Sequence, residues 1–323
     1  NGVYQIKNVG NLFWFAALVN GDTNQEGITQ AVPNANAVLT ADIDLGGREW
    51  APIAPSTTFR SNATSVARTT DKSYSGTFDG QGHTISNFEI RTNSDELTSG
   101  LFGAVTGTIE NLGIVNASFD NGGAYDGRFG ALCGLLVKDS STQTAATIQN
   151  CYVVNSSIEA TGKIAGAVCG ANYGGTIANC YEYGNTVTAH NRIGHLVGDN
   201  HNDYDYNPMT GTVTNCYSDT KVVGDTTSSK TGTVNGGGVK DAGAFASGEV
   251  AYLLNGSTSE GDLTWHQNLD NGQTVDSYPV LDSSHGTVYY IEGDPASYSN
   301  DPNGNPAQVI SVDITWGELS FTY

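Results

Sequence analysis

A short text of the form Thr-[Ile/Val]-x-Asn recurs five times along this chain. The copies are Thr84-Ile85-Ser86-Asn87, Thr108-Ile109-Glu110-Asn111, Thr147-Ile148-Gln149-Asn150, Thr176-Ile177-Ala178-Asn179 and Thr212-Val213-Thr214-Asn215. A unit that returns at intervals of about 20 to 45 residues buries its apolar face by stacking on its own copies. The Asn-to-Asn separations of 24, 39, 29 and 36 residues are unequal, so the repeat predicts a constant core element with loops of variable length between copies.

A second element precedes the last four copies. It reads Gly-x-[Leu/Val]-x-Gly at Gly130 to Gly134, Gly166 to Gly170 and Gly194 to Gly198, with Ser99 to Gly103 as a variant. Its central residue is always aliphatic (Leu101, Leu132, Val168, Leu196), as an inward position must be where parallel strands stack around a narrow core. The bracketing glycines permit sharp bends or close backbone approach. Each repeat therefore reads as strand, loop, strand, turn, and the fold class expected is all-β: a right-handed parallel β-helix (solenoid) with short capping helices and a small C-terminal β segment.

Asn111, Asn150, Asn179 and Asn215 are expected to form a structural ladder, because Asn tolerates left-handed backbone and its amide can bond turn groups in the neighbouring copy. Directly after them stand Leu112, Cys151, Cys180 and Cys216. A position shared by Leu and Cys is a small apolar slot rather than a reactive centre. Stacked side chains in that slot point the same way, so thiols are expected instead of disulfides. The chain's five cysteines show neither a Cys-x-x-Cys nor a zinc-type spacing.

Composition narrows the function classes. Forty-one glycines with only 14% charged residues suit many short strands and turns. Thirteen Lys and Arg against 33 Asp and Glu leave a formal charge of −20, and the basic residues are scattered singly, which argues against nucleic acid and anionic membrane surfaces as partners. No apolar run approaches the roughly 18 residues of a membrane span, so no membrane insertion is expected. The chain opens at Asn1 and reads as a processed or excised segment.

Several stretches carry a family resemblance. Gly100-Leu101-Phe102-Gly103 matches the signature of the GLUG motif, and Ala131-Leu132-Cys133-Gly134, Ala167-Val168-Cys169-Gly170 and His195-Leu196-Val197-Gly198 match it with the leading Gly replaced. Leu39 to Leu45, Trp50-Ala51-Pro52-Ile53 and Gly76 to Ile85 look like the text that opens such segments. Over roughly its first three-quarters the chain thus resembles GLUG-motif bacterial cell-surface, adhesin-like proteins. The resemblance implies an extracellular location, at the bacterial surface or secreted, and brings no catalytic residues with it.

Flanking segments complete the expected organisation. Asn11 to Asn20 reads as a short capped helix sealing the first copy. Ser247 to Asn255 reads as a second helix, followed by Trp265 to Leu269 and Tyr278 to Asp282, a pairing similar to closing segments in bacterial surface proteins. Residues 1–245 are then a GLUG-type solenoid with its N-terminal cap, and 246–292 a closing segment. Residues 293–323 are a linker and a β-hairpin, the latter resembling the opening of a truncated immunoglobulin-like domain.

Three kinds of chemistry bear on function. A glycan-active enzyme would need paired carboxylates, and Asp42 with Asp44, and Asp79 with His83, are the nearest approach to them. Asp beside Gly in framework text is better explained by turn hydrogen bonds. Asp203, Asp205 and Asn207 begin a calcium-loop pattern, but Pro208 stands at its glycine position and Thr214 at its closing Glu, so calcium is a candidate ion and no other cofactor is implied. His201, Tyr204 and Tyr206 share that polar insertion and are the candidate ligand-binding residues, as aromatics that could stack on a sugar or partner. The expected function is a non-catalytic module for adhesion or display, binding glycan or a host or community surface protein, monomeric within a longer surface protein. The alternative is a β-helix polysaccharide hydrolase or lyase.

Overall fold

A computed structural model describes residues 2–61, 68–70, 72–90, 96–119, 125–138, 144–160, 162, 164–203, 209–224, 232–269 and 274–304. Among these, strands dominate and pair in parallel in three sheets of thirteen, five and four strands. The exception within those sheets is the antiparallel pairing of Val197–Asp203 with Met209–Thr210. The molecule is all-β with parallel sheets, as the repeat predicts. No described helix is long and apolar enough to cross a membrane.

Each of the last four copies of the repeat contributes strands to all three sheets. The copy that starts at Arg128–Phe129 continues through Cys133–Val137 to Thr147–Val154, and its strands pair with those of the copies before and after it. Register aligns the repeats residue for residue. Phe78, Ile109, Ile148, Ile177 and Val213 stand opposite one another in succession and are all fully buried. A second inward column runs Phe102, Cys133, Cys169, Val197. Each side chain of this size withdrawn from water contributes about 1.5–3 kcal/mol. Leu101, Leu132, Val168 and Leu196 are fully buried at the intervening bends. There the backbones come too close for any side chain: a Cβ on Gly166 would lie 2.4 Å from the Cys169 carbonyl and 2.5 Å from the Gly198 nitrogen.

The asparagine ladder forms as expected. Asn111, Asn150, Asn179 and Asn215 all hold left-handed backbone, with φ between 49° and 53°. Each Nδ2 donates to the Oδ1 of the preceding Asn, at 3.0 Å from Asn150 to Asn111, 3.5 Å from Asn179 to Asn150 and 3.0 Å from Asn215 to Asn179. Asp79 Oδ1 accepts from Asn111 at one end, and at the other Asn215 Nδ2 donates to the carbonyls of Leu253 and Leu254. Asn87 does not belong to this ladder. Its strand pairs Ile85 with Ile114 and Phe88 with Ala117, so Asn87 accepts from Asn116 in a second ladder that Asp44 begins. The twelve-residue strand Thr108–Phe119 contains a left-handed Asn at both bends. The local chemistry of the two bends is the same, and the short text cannot tell them apart.

Leu112 is opposite Cys151, and the Cys180 and Cys216 thiols follow in the same slot, donating to backbone carbonyls. All five cysteines are buried and free. Burial pushes the Cys133, Cys180 and Cys216 thiols well above their usual range, which suppresses the reactive thiolate.

The first helix is Val9–Asn20, one turn longer than expected at its start, because Asn8 rather than Asn11 caps it, accepting from the Asn11 amide. It lays Leu12, Phe15, Ala16, Leu18 and Val19 into the core, with the Phe15 ring 5.9 Å from that of Phe78. At the other end, helices Ala242–Ala246 and Glu249–Leu254 and the segment after them cover an outward tyrosine column. Tyr152 and Tyr181 stack at 5.3 Å with ring planes nearly parallel, Trp265 and Phe245 pack against Tyr181, and the Tyr181 hydroxyl donates to the Pro279 carbonyl. The stretch after 293 is not simply a linker: Ser297–Ser299 pairs with Tyr289–Ile291, and the Asn300 side chain bonds Gln267 and Leu269. The expected hairpin over 310–323 lies outside the described residues.

Candidate functional site

The interior changes character toward the C-terminal copies. One inward column runs Ile43, Ile85, Ile114, Val153 and then Glu182 and Ser218. Another runs Val105, Leu136 and then Asn172 and Asn200. Both switch from aliphatic to polar in the last copies, and Glu182, Ser218, Asn172 and Asn200 are fully buried.

Glu182 is the centre of one polar cluster. Ser218 Oγ donates to its Oε1, and Asn185 Nδ2 donates to its Oε2 at 2.9 Å. Asn185 is itself fastened by the Val153 carbonyl and the Ser156 amide. His195 Nδ1 lies 4.0 Å from Glu182 Oε2. Asp219 approaches from the turn after strand Thr212–Ser218 and accepts from the Gly184 amide at 2.7 Å. Desolvation pushes the Glu182 carboxyl up to about 7, against the two hydrogen bonds and with the Asp219 charge. Desolvation also holds the His195 imidazole below its usual range. One ligand atom each from Glu182, His195 and Asp219 lies within 4.8 Å of the others, so these residues could hold a metal ion. A carboxyl poised near neutrality beside an imidazole is equally capable of exchanging a proton.

A second cluster supports the insertion that follows strand Val197–Asp203. The Asp199 carboxylate is fully buried and accepts from Arg192 Nη1 and, at 3.1 Å, from the Tyr173 hydroxyl. Arg192 stands at the start of the same copy, so this pair ties the base of the insertion to the strand before it.

The residues singled out in the insertion separate in the structure. His201 is buried, not exposed: its ring meets Tyr173 edge-on at 5.0 Å, and its Nδ1 is 3.8 Å from Asp199 Oδ2. The physical reason is its register opposite Tyr173 in the five-stranded sheet. Asp203 ends that strand, where Asn202–Asp203 pairs with Met209–Thr210. Tyr204, Asp205, Tyr206 and Asn207 lie outside the described residues.

The acidic pairs that an enzyme might have used serve the framework. Asp42 Oδ1 accepts the Thr84 amide and faces His83, Asp44 Oδ1 accepts the Gly46 amide and Asn87 Nδ2, and Asp79 Oδ1 accepts the Gln81 amide and Asn111 Nδ2. Asp42 and His83 also line a cleft of about 360 Å³ against Tyr152, Asp282 and His285 of the closing segment.

Glu182, His195, Ser218 and Asp219 were not among the residues singled out from sequence, although a signal existed. Aligning Cys151-Tyr152-Val153, Cys180-Tyr181-Glu182 and Cys216-Tyr217-Ser218 puts a carboxylate in a valine column. His195 likewise replaces the Gly100, Ala131 and Ala167 of earlier copies.

No protein-family model matches the chain, and no curated protein matches it. Among solved structures, a candidate immunoglobulin A1 protease from Bacteroides ovatus is similar over 86% of this chain and 92% of that one, with 20% identity and a TM-score of 0.45. A likeness at that level assigns neither activity nor site.

Proposed function

We propose that the chain is a right-handed parallel β-solenoid, of the kind found in GLUG-motif bacterial surface proteins, working outside the cell as a non-catalytic module for adhesion or display. The observation that carries this reading is the employment of Asp42, Asp44 and Asp79 in turn and ladder hydrogen bonds, which accounts for the acidic pairs that stand out in the sequence by a framework role. Handedness rests on parallel strand connections, which are right-handed in about 98% of cases. The bearing surface is the insertion between Asp203 and Met209, which carries Tyr204 and Tyr206 in its sequence and is flanked by the antiparallel pairing of Asn202–Asp203 with Met209–Thr210. The ligand is glycan or protein, with calcium a candidate ion at Asp203, Asp205 and Asn207, and the module acts as one chain within a longer surface protein. The formal charge of −20 accords with solubility outside a cell and with ligands other than polyanions.

The test is a panel of defined oligosaccharides and surface proteins immobilised for binding, with product analysis of each polysaccharide after long incubation. The expected result is saturable binding that falls at least tenfold in a Tyr204→Ala/Tyr206→Ala double variant, with no new reducing ends and no unsaturated uronates. Turnover of any polysaccharide would refute the non-catalytic reading. Binding that the double variant leaves unchanged would refute the placement of the surface.

A further inference from the structure

We propose that Glu182, His195 and Asp219 form a site for a divalent transition ion of the zinc class that clamps the last copies of the repeat together. The ligand atoms lie within 4.8 Å of one another, so closure by about 1 Å brings them to the spacing that metal–nitrogen and metal–oxygen bonds of about 2.0–2.2 Å require. The three come from different segments: strand Tyr181–Tyr183, the bend before Leu196, and the turn after strand Thr212–Ser218. An ion held between them would cross-link stretches otherwise joined by ladder hydrogen bonds.

Two independent features point to a ligand here. Glu182 places a fully buried carboxylate in a column that is Ile or Val in the four preceding copies. A carboxylate is among the costliest groups to bury, its two hydrogen bonds come from the neutral Ser218 and Asn185, and the Asp219 carboxylate repels it. A dication turns that repulsion into attraction for both. The second feature is His195 Nδ1, which is buried and makes no hydrogen bond among the described residues, although it faces Glu182 Oε2 at 4.0 Å.

The surroundings are those of a supported ligand set. Ser218 and Asn185 orient the Glu182 carboxylate, while the Gly184 amide and the Thr220 hydroxyl orient Asp219. One imidazole with two carboxylates suits zinc and its neighbours. Calcium, which takes six to eight oxygens, is disfavoured by the nitrogen and by the small ligand count.

The experiment uses the full chain freed of metal by chelator and dialysis, titrated with zinc chloride, calcium chloride and magnesium chloride by calorimetry and thermal melting. Zinc is expected to bind at one equivalent and to raise the melting temperature by several degrees, with no comparable effect of calcium or magnesium. His195→Ala should weaken zinc binding at least tenfold, whereas His285→Ala, in the closing segment, should leave it unchanged. X-ray absorption of the zinc-loaded wild type gives a readout independent of any variant: a shell of nitrogen and oxygen including one imidazole is expected. Absence of zinc binding, equal binding by His195→Ala, equal stabilisation by calcium, or sulfur in the zinc shell would each overturn the proposal.

Discussion

Asn150 sits in the middle of the ladder, and its replacement separates two contributions. Its Nδ2 donates to Asn111 Oδ1 at 3.0 Å, its Oδ1 accepts from Asn179 at 3.5 Å, and its backbone is left-handed with φ 51°. Asn150→Ala loses one good hydrogen bond, about 1 kcal/mol net, and the longer second contact adds little. It also puts a Cβ without local hydrogen bonding into left-handed backbone, at about 1–2 kcal/mol. The sum is roughly 2–3 kcal/mol. Asn150→Gly loses the same hydrogen bond but not the backbone term, replacing it with the smaller entropic penalty of glycine, about 0.5–1 kcal/mol. The alanine variant should therefore be the less stable by about 0.5–1 kcal/mol, although alanine is ordinarily the better residue in regular structure. Urea denaturation followed by tryptophan fluorescence and far-ultraviolet dichroism gives both midpoints, and coincident transitions with unchanged slope make the comparison valid. An alanine variant as stable as the glycine variant, or more so, would refute the account of the ladder.

Two further perturbations probe the bends and the closing segment. Gly166→Ala should cost more than about 3 kcal/mol, above the usual range for a point change, since its Cβ would meet backbone atoms at 2.4 and 2.5 Å that cannot rotate away; a loss below about 1 kcal/mol in the same urea assay would show that the stacked bends are looser than described. His266 is held below its usual pKa, chiefly by desolvation, so it contributes stability above about pH 6.5 that is lost as pH falls and the unfolded chain binds the proton first. Glu182, whose pKa is raised, acts with the opposite sign between about pH 4.5 and 7, so the quantity to measure is the difference between wild type and His266→Gln. That difference in melting temperature should shrink from pH 7.5 to 5.5, and a constant difference would show that His266 does not titrate with folding.

The repeat made the architecture readable in outline. Ile109, Ile148, Ile177 and Val213 fall in register, the four ladder asparagines bond in series, and the Leu112 slot accepts Cys151, because the partner of each copy is the next copy of the same text. The site was harder to read. The acids that stood out by local spacing, Asp42, Asp44 and Asp79, cap turns and start ladders, whereas the buried acid, Glu182, looked ordinary in Cys180-Tyr181-Glu182-Tyr183 until its column was known. His201 drew notice as part of a polar run, yet its strand register turns it onto Tyr173.

The sequence by itself determined the parallel stack, the inward aliphatic positions, the glycine bends and the thiol slot, all of which follow from short periodic texts whose neighbours are their own repeats. Tertiary structure alone decided that Asn87 joins the ladder of Asn116, that Asn300 fastens onto Gln267 and Leu269, and that the closing segment covers Tyr152 and Tyr181. It also decided that Glu182, His195 and Asp219 meet. Those outcomes depend on which of two like bends aligns with which, and on contacts such as Tyr181 with Pro279, 98 residues apart. No local pattern encodes such a distance, since the free energy of the contact exists only once the stack that presents it has formed.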